Sequence, residues 1–284
     1  MAMRHSSALM KVLIGLRNLG LTTLSYSFDN SEAQEKMSNI KVETHGLCSL
    51  ITINRPERRN AICRNTALDL QQAFVDFDAS PQRVAILTGE GDEAFCAGAD
   101  LKSISPGPAV YWKCIPGIGF TTDKPIIAAT AGWAIGVGMV LAMYCDLIVA
   151  DETTVFSYPE GKIGRTGGLI AGAVARIPQK VALDLMLLGR PMGAHRAYQV
   201  GLVNDVTKKG EHISVAMAHA ETMIATAPLV IKTLKRFSSE LIPKSSAERM
   251  LAASSLVNEM SDSNDFKEGV AAFKERRTPR FTGR

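Results

Sequence analysis

The chain has 284 residues, 46% hydrophobic, 21% charged and 6% aromatic, with a formal net charge of +4 and five cysteines. Its basic residues are not interleaved with aromatics, which argues against a nucleic-acid surface; a few cations serving an anionic ligand account for the balance. No apolar run reaches the ~20 residues of a membrane-spanning helix, and Cys48, Cys63, Cys96, Cys114 and Cys145 lack metal-ligand or disulfide spacing, which suits a reducing compartment.

Residues 1–38 differ from the rest. Met1 to Phe28 contains no acidic residue, while Arg4, Lys11 and Arg17 stand among Ser, Thr and Leu. Two readings follow: an organelle-targeting segment, giving a mitochondrial protein, or an extension from an upstream start, with Met37 opening a cytoplasmic one. The core is expected over 39–206 and a helical subdomain over 207–284.

In chain order, Ile40–Glu43 and Leu50–Ile53 read as strands around a His45-Gly46 turn, followed by a polar loop, Asn54 to Ala61. A helix is expected over Thr66–Asp78, burying Leu68, Phe74, Val75 and Phe77. Val84–Gly89 is a short buried strand. Phe95–Asp100 is a small-residue turn feeding a short helix at Leu101, and Pro106 to Gly119 reads as an irregular cover. Pro125–Thr130 is a strand, after which Gly132–Gly138 reads as a glycine-rich turn opening an apolar helix to Cys145. Strands follow at Leu147–Ala150 and Thr154–Ser157. Gly167-Gly168 and Pro178 each open a helix, the second reaching Leu188, and helices continue from Gly210 to near Phe273. Strand–helix alternation followed by helices alone predicts an α/β fold with a helical C-terminal part.

Two small-residue turns that each feed a helix can aim two backbone N–H groups at one oxygen, and the amides of Ala99 and Val137 are the candidates for such an oxyanion hole. The same glycines serve equally to reverse the chain. Glu160 follows a short apolar strand and a proline; a carboxylate there either sits in an apolar pocket as acid or base, or is a solvated loop residue. Arg55, Arg58, Arg59 and Lys102 are candidates for phosphate contacts, or simply loop charges. Asp100, Asp146 and Asp151 read as turn caps, Cys96 has no histidine placed to activate it, and Tyr111, Trp112, Phe120 and Tyr158 either line a pocket or pack.

These pieces occur together in one order. Ile53-Asn54-Arg55-Pro56, Arg59-Asn60-Ala61, Ala94 to Lys102, Gly132 with Gly136-Val137-Gly138, Pro159-Glu160, Gly189-Arg190-Pro191, Gly201-Leu202-Val203-Asn204 and Asp265 to Phe273 give a chain that from Ile40 onward resembles the crotonase superfamily, the enoyl-CoA hydratases and isomerases. The resemblance implies a spiral of repeated ββα units with a helical trimerisation region, hence a homotrimer or a dimer of trimers. It implies an acyl-CoA thioester substrate, coenzyme A entering only as part of it, with no metal. It places the thioester oxygen on the amides of Ala99 and Val137, and the adenine and phosphates near Arg58, Arg59, Ala97 and Lys102.

The chain also departs from that family. Hydratases carry a second glutamate four residues after the position of Gly136, and here it is Val140. Val137 stands where many members have glycine, and Gly164 to Gly168 lacks the usual proline. With Glu160 alone, proton shuttling that moves a double bond is the simpler chemistry, and hydration needs help from water. The alternatives are a catalytically quiet acyl-CoA-binding oligomer and a thioester hydrolase.

Overall fold

A computed structural model describes residues 39–103, 110–164, 166–251, 254 and 263–284. The N-terminal segment, and part of the expected cover at Pro106–Gly119, lie outside the described residues. Strands β1 (Ile40–His45) and β2 (Cys48–Ile53) form an antiparallel hairpin whose turn includes Gly46 at φ +59°. Beyond β2 the pairing is parallel, through β3 (Val84–Gly89), β4 (Ile126–Thr130), β6 (Leu147–Asp151) and β9 (Asp205–Thr207). A parallel sheet is covered on both faces, which is why β2, β3 and β4 read as unbroken buried runs. Leu50, Ile86, Ile127 and Val149 pack on one face, with Ala216 and Ala220. Their neighbours Ile51, Leu87, Ala128 and Ile148 belong to the core on the other.

Helix α1 (Arg64–Ala79) lies in that second core. Its buried side is Thr66, Ala67, Leu70, Ala73, Phe74 and Phe77, a set spaced by three or four residues. Two expectations fail here: Leu68 is only half-buried and Val75 is 45% exposed. Small alanines, not the larger apolar side chains, complete the stripe.

The region expected as a single glycine-rich turn contains a strand. Strand β5 (Trp133–Ile135) pairs in parallel with β7 (Val155–Ser157), and β7 pairs antiparallel with β8 (Met192–Gly193). A bridge from Cys96 to Ala134 extends this second sheet by one more segment. Each turn of the chain thus places a strand in the large sheet and a shorter one in the small sheet. β4 and β5 lead into α2 (Val137–Met143), and β6 and β7 lead into a 3₁₀ segment, Glu160–Ile163. The repeat stacks the ends of successive small strands beside one another, and the candidate residues sit at those ends.

Further helices among the described residues include a 3₁₀ helix (Gly168–Ala175), α3 (Gln179–Leu183, continuing into a π-helical turn to Leu188), α4 (Ala194–Gln199), α5 (His212–Ala225), α6 (Pro228–Leu241) and α7 (Asn264–Glu275). α5 supplies Ala216 and Ala220 to the sheet. α6 buries nothing, and Val230, Leu234, Phe237 and Leu241 form an exposed apolar stripe along it. No single helix among the described residues is long and apolar enough to cross a membrane.

Candidate active site

The turn at Ala97–Asp100 is held from below. Ala97 donates its N–H to the Arg59 carbonyl (2.9 Å), Ile62 donates to Gly98 (2.8 Å) and Asp100 donates to Ile62 (2.9 Å). The Ala99 N–H has no acceptor among the described residues, and Ala99 is partly exposed. Gly98 has φ +94°, and a Cβ there would lie 2.9 Å from the Ile135 carbonyl oxygen and 4.0 Å from the Gly136 Cα. Glycine is therefore required by both torsion and space, and it brings the Ala99 turn against the entry to α2. Gly138 does the same one step on, since a Cβ there would meet the Cys96 oxygen at 2.3 Å.

At the start of α2, Val137 occupies the first helical position and its N–H has no acceptor among the described residues; Val140 N–H donates to Gly136 O at 3.0 Å, closing the first turn. Gly136 adopts φ 55°, ψ −117°, and its own N–H is fixed by the Ser157 carbonyl at 2.9 Å. The Glu160 carboxylate fills the place of a side chain at 136: a Cβ there would be 2.2 Å from Oε1. Glu160 Oε2 is buried and has no hydrogen-bond partner among the described residues. Burial raises its pKa above the ordinary glutamate value, offset only in part by a backbone hydrogen bond. The result is a half-buried, weakly solvated carboxylate beside unpaired backbone donors, an arrangement suited to moving a proton while negative charge develops nearby.

Three sequence-chosen groups, Ala99, Val137 and Glu160, are thus brought together through Gly98 and Gly136. Val140 is 4% exposed, packed in the core beside Met139 and Leu141, and offers no ionisable group. Of the basic candidates, Arg58 donates from Nη2 to Asp100 Oδ1 at 2.6 Å, and Arg55 donates from its Nη2 to Asp100 Oδ2 at 3.1 Å. Arg55 also donates to the Ala61 carbonyl. Burial alone would raise the Asp100 pKa, but the Arg58 and Arg55 hydrogen bonds hold it below the usual carboxylate value. Arg59 pairs with Glu93 on the exposed surface (3.2 Å), Lys102 is exposed and Ala97 is partly exposed. Of the basic candidates, Arg55 and Arg58 are thus tied to Asp100 and Arg59 to Glu93, while Lys102 is exposed beside the turn in sequence.

Asp146 and Asp151 accept backbone N–H groups, from Ile126 (2.7 Å) and Thr153 (2.9 Å), as turn caps do. Cys96 is fully buried and its thiol is pushed up to about 12 by burial, so it stays a neutral packing group. Phe120 stacks on Phe74 with ring centroids 4.6 Å apart, which makes it core. Two features were not visible in the sequence. Asn60, at φ 56°, donates to the Glu90 and Ala94 carbonyls and accepts from Arg55 N–H, tying the polar loop to the Ala94 strand. Tyr158 is 5% exposed and its hydroxyl bonds to Thr166 and Gly167.

Comparison with known proteins gives a consistent picture. The family model for enoyl-CoA hydratase/isomerase matches residues 43–284. A carnitinyl-CoA dehydratase of Escherichia coli is 38% identical over 250 residues, covering 82% of this chain and 94% of the relative. An (E)-benzylidenesuccinyl-CoA hydratase of Thauera aromatica is 34% identical over 256 residues, covering 86% and 99%. The crystal structure of a carnitinyl-CoA hydratase from Mycobacterium avium matches with a TM-score of 0.68 at 35% identity, over 87% of this chain and 99% of that one.

Proposed function

This chain belongs to the enoyl-CoA hydratase/isomerase family and has the crotonase fold, and from that premise we propose that it moves protons on an unsaturated acyl-CoA thioester with Glu160 as its acid and base. The observation that carries this reading is the Glu160 carboxylate set against Gly136, half-buried and with one oxygen unpartnered, next to the unpaired amides of Val137 and Ala99. In the proposed complex the thioester oxygen accepts from those two amides. Glu160 takes the α-proton of a 3-enoyl thioester; the C–H electron pair forms a π bond between the carbonyl carbon and Cα while the carbonyl π pair moves onto the oxygen. In the next step the oxygen pair re-forms the carbonyl, the carbonyl-carbon–Cα pair becomes the Cα–Cβ π bond and the Cβ–Cγ pair takes up the proton. Return of that proton to the γ-carbon restores the carbonyl and leaves the conjugated 2-enoyl product. Each amide donor of such a hole is worth about 10²–10³ in rate. The coenzyme A moiety lies along Ala97, Arg58, Arg59 and Lys102.

Hydration or dehydration is the second reading, favoured by relatives named as a carnitinyl-CoA dehydratase and a benzylidenesuccinyl-CoA hydratase. It has one carboxylate do the work of two, since position 140 is valine. We assign the catalytic core to residues 39–206 and self-association, as a trimer or a dimer of trimers, to the helices of 207–284, on the support of the exposed stripe of α6. The test follows the ultraviolet absorbance of the conjugated thioester with a 2-enoyl-CoA and a 3-enoyl-CoA. A rise on the 3-enoyl substrate, abolished by Glu160→Gln, supports the double-bond shift. A fall on the 2-enoyl substrate establishes hydration instead. No change with either, while thioester still binds, leaves a binding protein.

A further inference from the structure

We infer that Tyr158 is a positioning residue whose phenol clamps the segment carrying Glu160 onto Thr166 and Gly167. The inference rests on Glu160 being the acid and base. The clamp matters because, among the described residues, the backbone of that segment makes only local hydrogen bonds. No residue of the 3₁₀ segment Glu160–Ile163 is fully buried, and Ile163, its one large apolar residue, is 56% exposed. Its own backbone bonds are local: Lys162 N–H to the Pro159 oxygen at 2.8 Å and Gly164 N–H to the Gly161 oxygen at 3.4 Å. A Cβ placed on Gly161, Gly164 or Gly167 would meet nothing within 4 Å, so no close packing restrains these glycines. A rigid site requires its reactive group to be held by neighbours whose own positions are fixed.

Tyr158 supplies that. Its ring is buried in the core at the end of β7, two residues before Glu160. Its hydroxyl accepts from Gly167 N–H at 3.1 Å and donates to Gly167 O at 3.2 Å, and it lies 3.0 Å from Thr166 Oγ1, which donates to it in this arrangement. That uses the donor and both lone pairs of the phenol. One buried side chain thereby ties together the two sides of the Glu160 segment, eight and nine residues apart. Burial raises the phenol pKa, and the charge of nearby Glu160 adds to this, so the hydroxyl keeps the proton it donates. At position 136 the Glu160 carboxylate stands where a Cβ would be, 2.2 Å from Oε1, so no side chain of that residue opposes its withdrawal when the segment is released.

The test measures exchange of the α-proton of butyryl-CoA into heavy water by NMR, together with butyryl-CoA affinity, in the full chain. A saturated thioester exchanges without turnover and so reports where the base stands. Tyr158→Phe keeps the ring and removes the hydroxyl; exchange is expected to fall about tenfold or more, as for a displaced catalytic group, with affinity unchanged. Thr166→Val is the second variant, expected to slow exchange about threefold, the worth of one hydrogen bond, with Thr166→Ser restoring it. Combining Tyr158→Phe with Thr166→Val should add nothing to Tyr158→Phe alone, because both act through one hydroxyl. Glu160→Gln is the reference. If it abolishes exchange while Tyr158→Phe and Thr166→Val leave the rate at the wild-type level, the clamp is overturned and the acid–base reading stands. If affinity falls in step with exchange, Tyr158 shapes binding and the clamp is again overturned. If Glu160→Gln exchanges like wild type, the acid–base reading fails and takes the clamp with it.

Discussion

Gly136→Ala is the sharpest perturbation of this site, because it acts on the proposed acid–base carboxylate, Glu160, through a single carbon. The new Cβ would stand 2.2 Å from Glu160 Oε1, whereas ordinary contact begins near 3.4 Å, so the carboxylate must retreat by about 1.2 Å. A misplacement of about 1 Å at the reacting centre costs about 10²-fold. Alanine is also strained at φ 55°, ψ −117°, by about 1–3 kcal/mol. For a chain of this size each kcal/mol corresponds to roughly 2–4 °C in Tm. Gly46→Ala separates the two effects: Gly46 has φ +59° and nothing within 4 Å, and it lies in the β1–β2 turn. Both variants should lose Tm, but only Gly136→Ala should lose kcat in the enoyl-CoA assay. Equal kcat in the two variants would refute the placement of Glu160 against Gly136.

Glu160→Gln should lose activity yet gain thermal stability at neutral pH. The folded-state pKa of Glu160 is raised by burial, so the folded protein holds a proton that the unfolded chain releases, and wild-type stability falls as pH rises through that raised value. Thermal scans should show the Tm advantage of the glutamine variant growing as pH rises from below 4.5, and a constant difference would contradict the burial of the carboxylate. Asp100→Ala leaves the Arg55 and Arg58 guanidiniums without their buried partner, and breaking such a pair costs about 3–5 kcal/mol by denaturant titration. Since the Asp100 pKa is lowered, its contribution in the wild type is lost only as pH falls below the ordinary value of 3.8. Leu234→Lys with Phe237→Lys places charge on the exposed stripe of α6, and sedimentation should show smaller species; an unchanged profile would place self-association elsewhere.

The long strands and the C-terminal helices are legible in the sequence because each carries its signal within its own length. Strand β3 is six buried residues in a row, and α6 shows an apolar residue every third or fourth position. α1 is legible as a helix but not in its facing: size favours Leu68 and Val75, while Ala67 and Ala73 take the buried positions because the period fixes the face. β5 is hidden, since three residues between glycines show no alternation and owe their extension to Cys96 and Val155–Ser157. At the site, Gly98 and Gly136 mark where two backbones come together, and the groups beside them do converge. The Asp100 pairs with Arg55 and Arg58 span 45 and 42 residues, and the Tyr158 bonds close on a polar loop; neither leaves a periodic trace.

The way the fold builds this site also bears on why position 140 can be valine. The two proposed oxyanion donors are backbone amides, supplied by consecutive turns of the spiral and brought together by Gly98 and Gly138, where a Cβ would collide with the facing backbone. Their placement depends on strand register and on missing side chains, so it survives a change at Val137, whose amide is the same whatever its side chain. Val140 lies one helical turn beyond Gly136 and accepts into its own carbonyl the Tyr144 N–H at 3.1 Å, with its side chain in the apolar core. Exchanging a carboxylate for valine there leaves the helix and both amides in place, while it removes a charge that the surrounding core would otherwise have to solvate. The substitution is therefore compatible with an intact frame of backbone donors, and it leaves the Glu160 carboxylate, set against Gly136, as the ionisable group of the proposed proton chemistry.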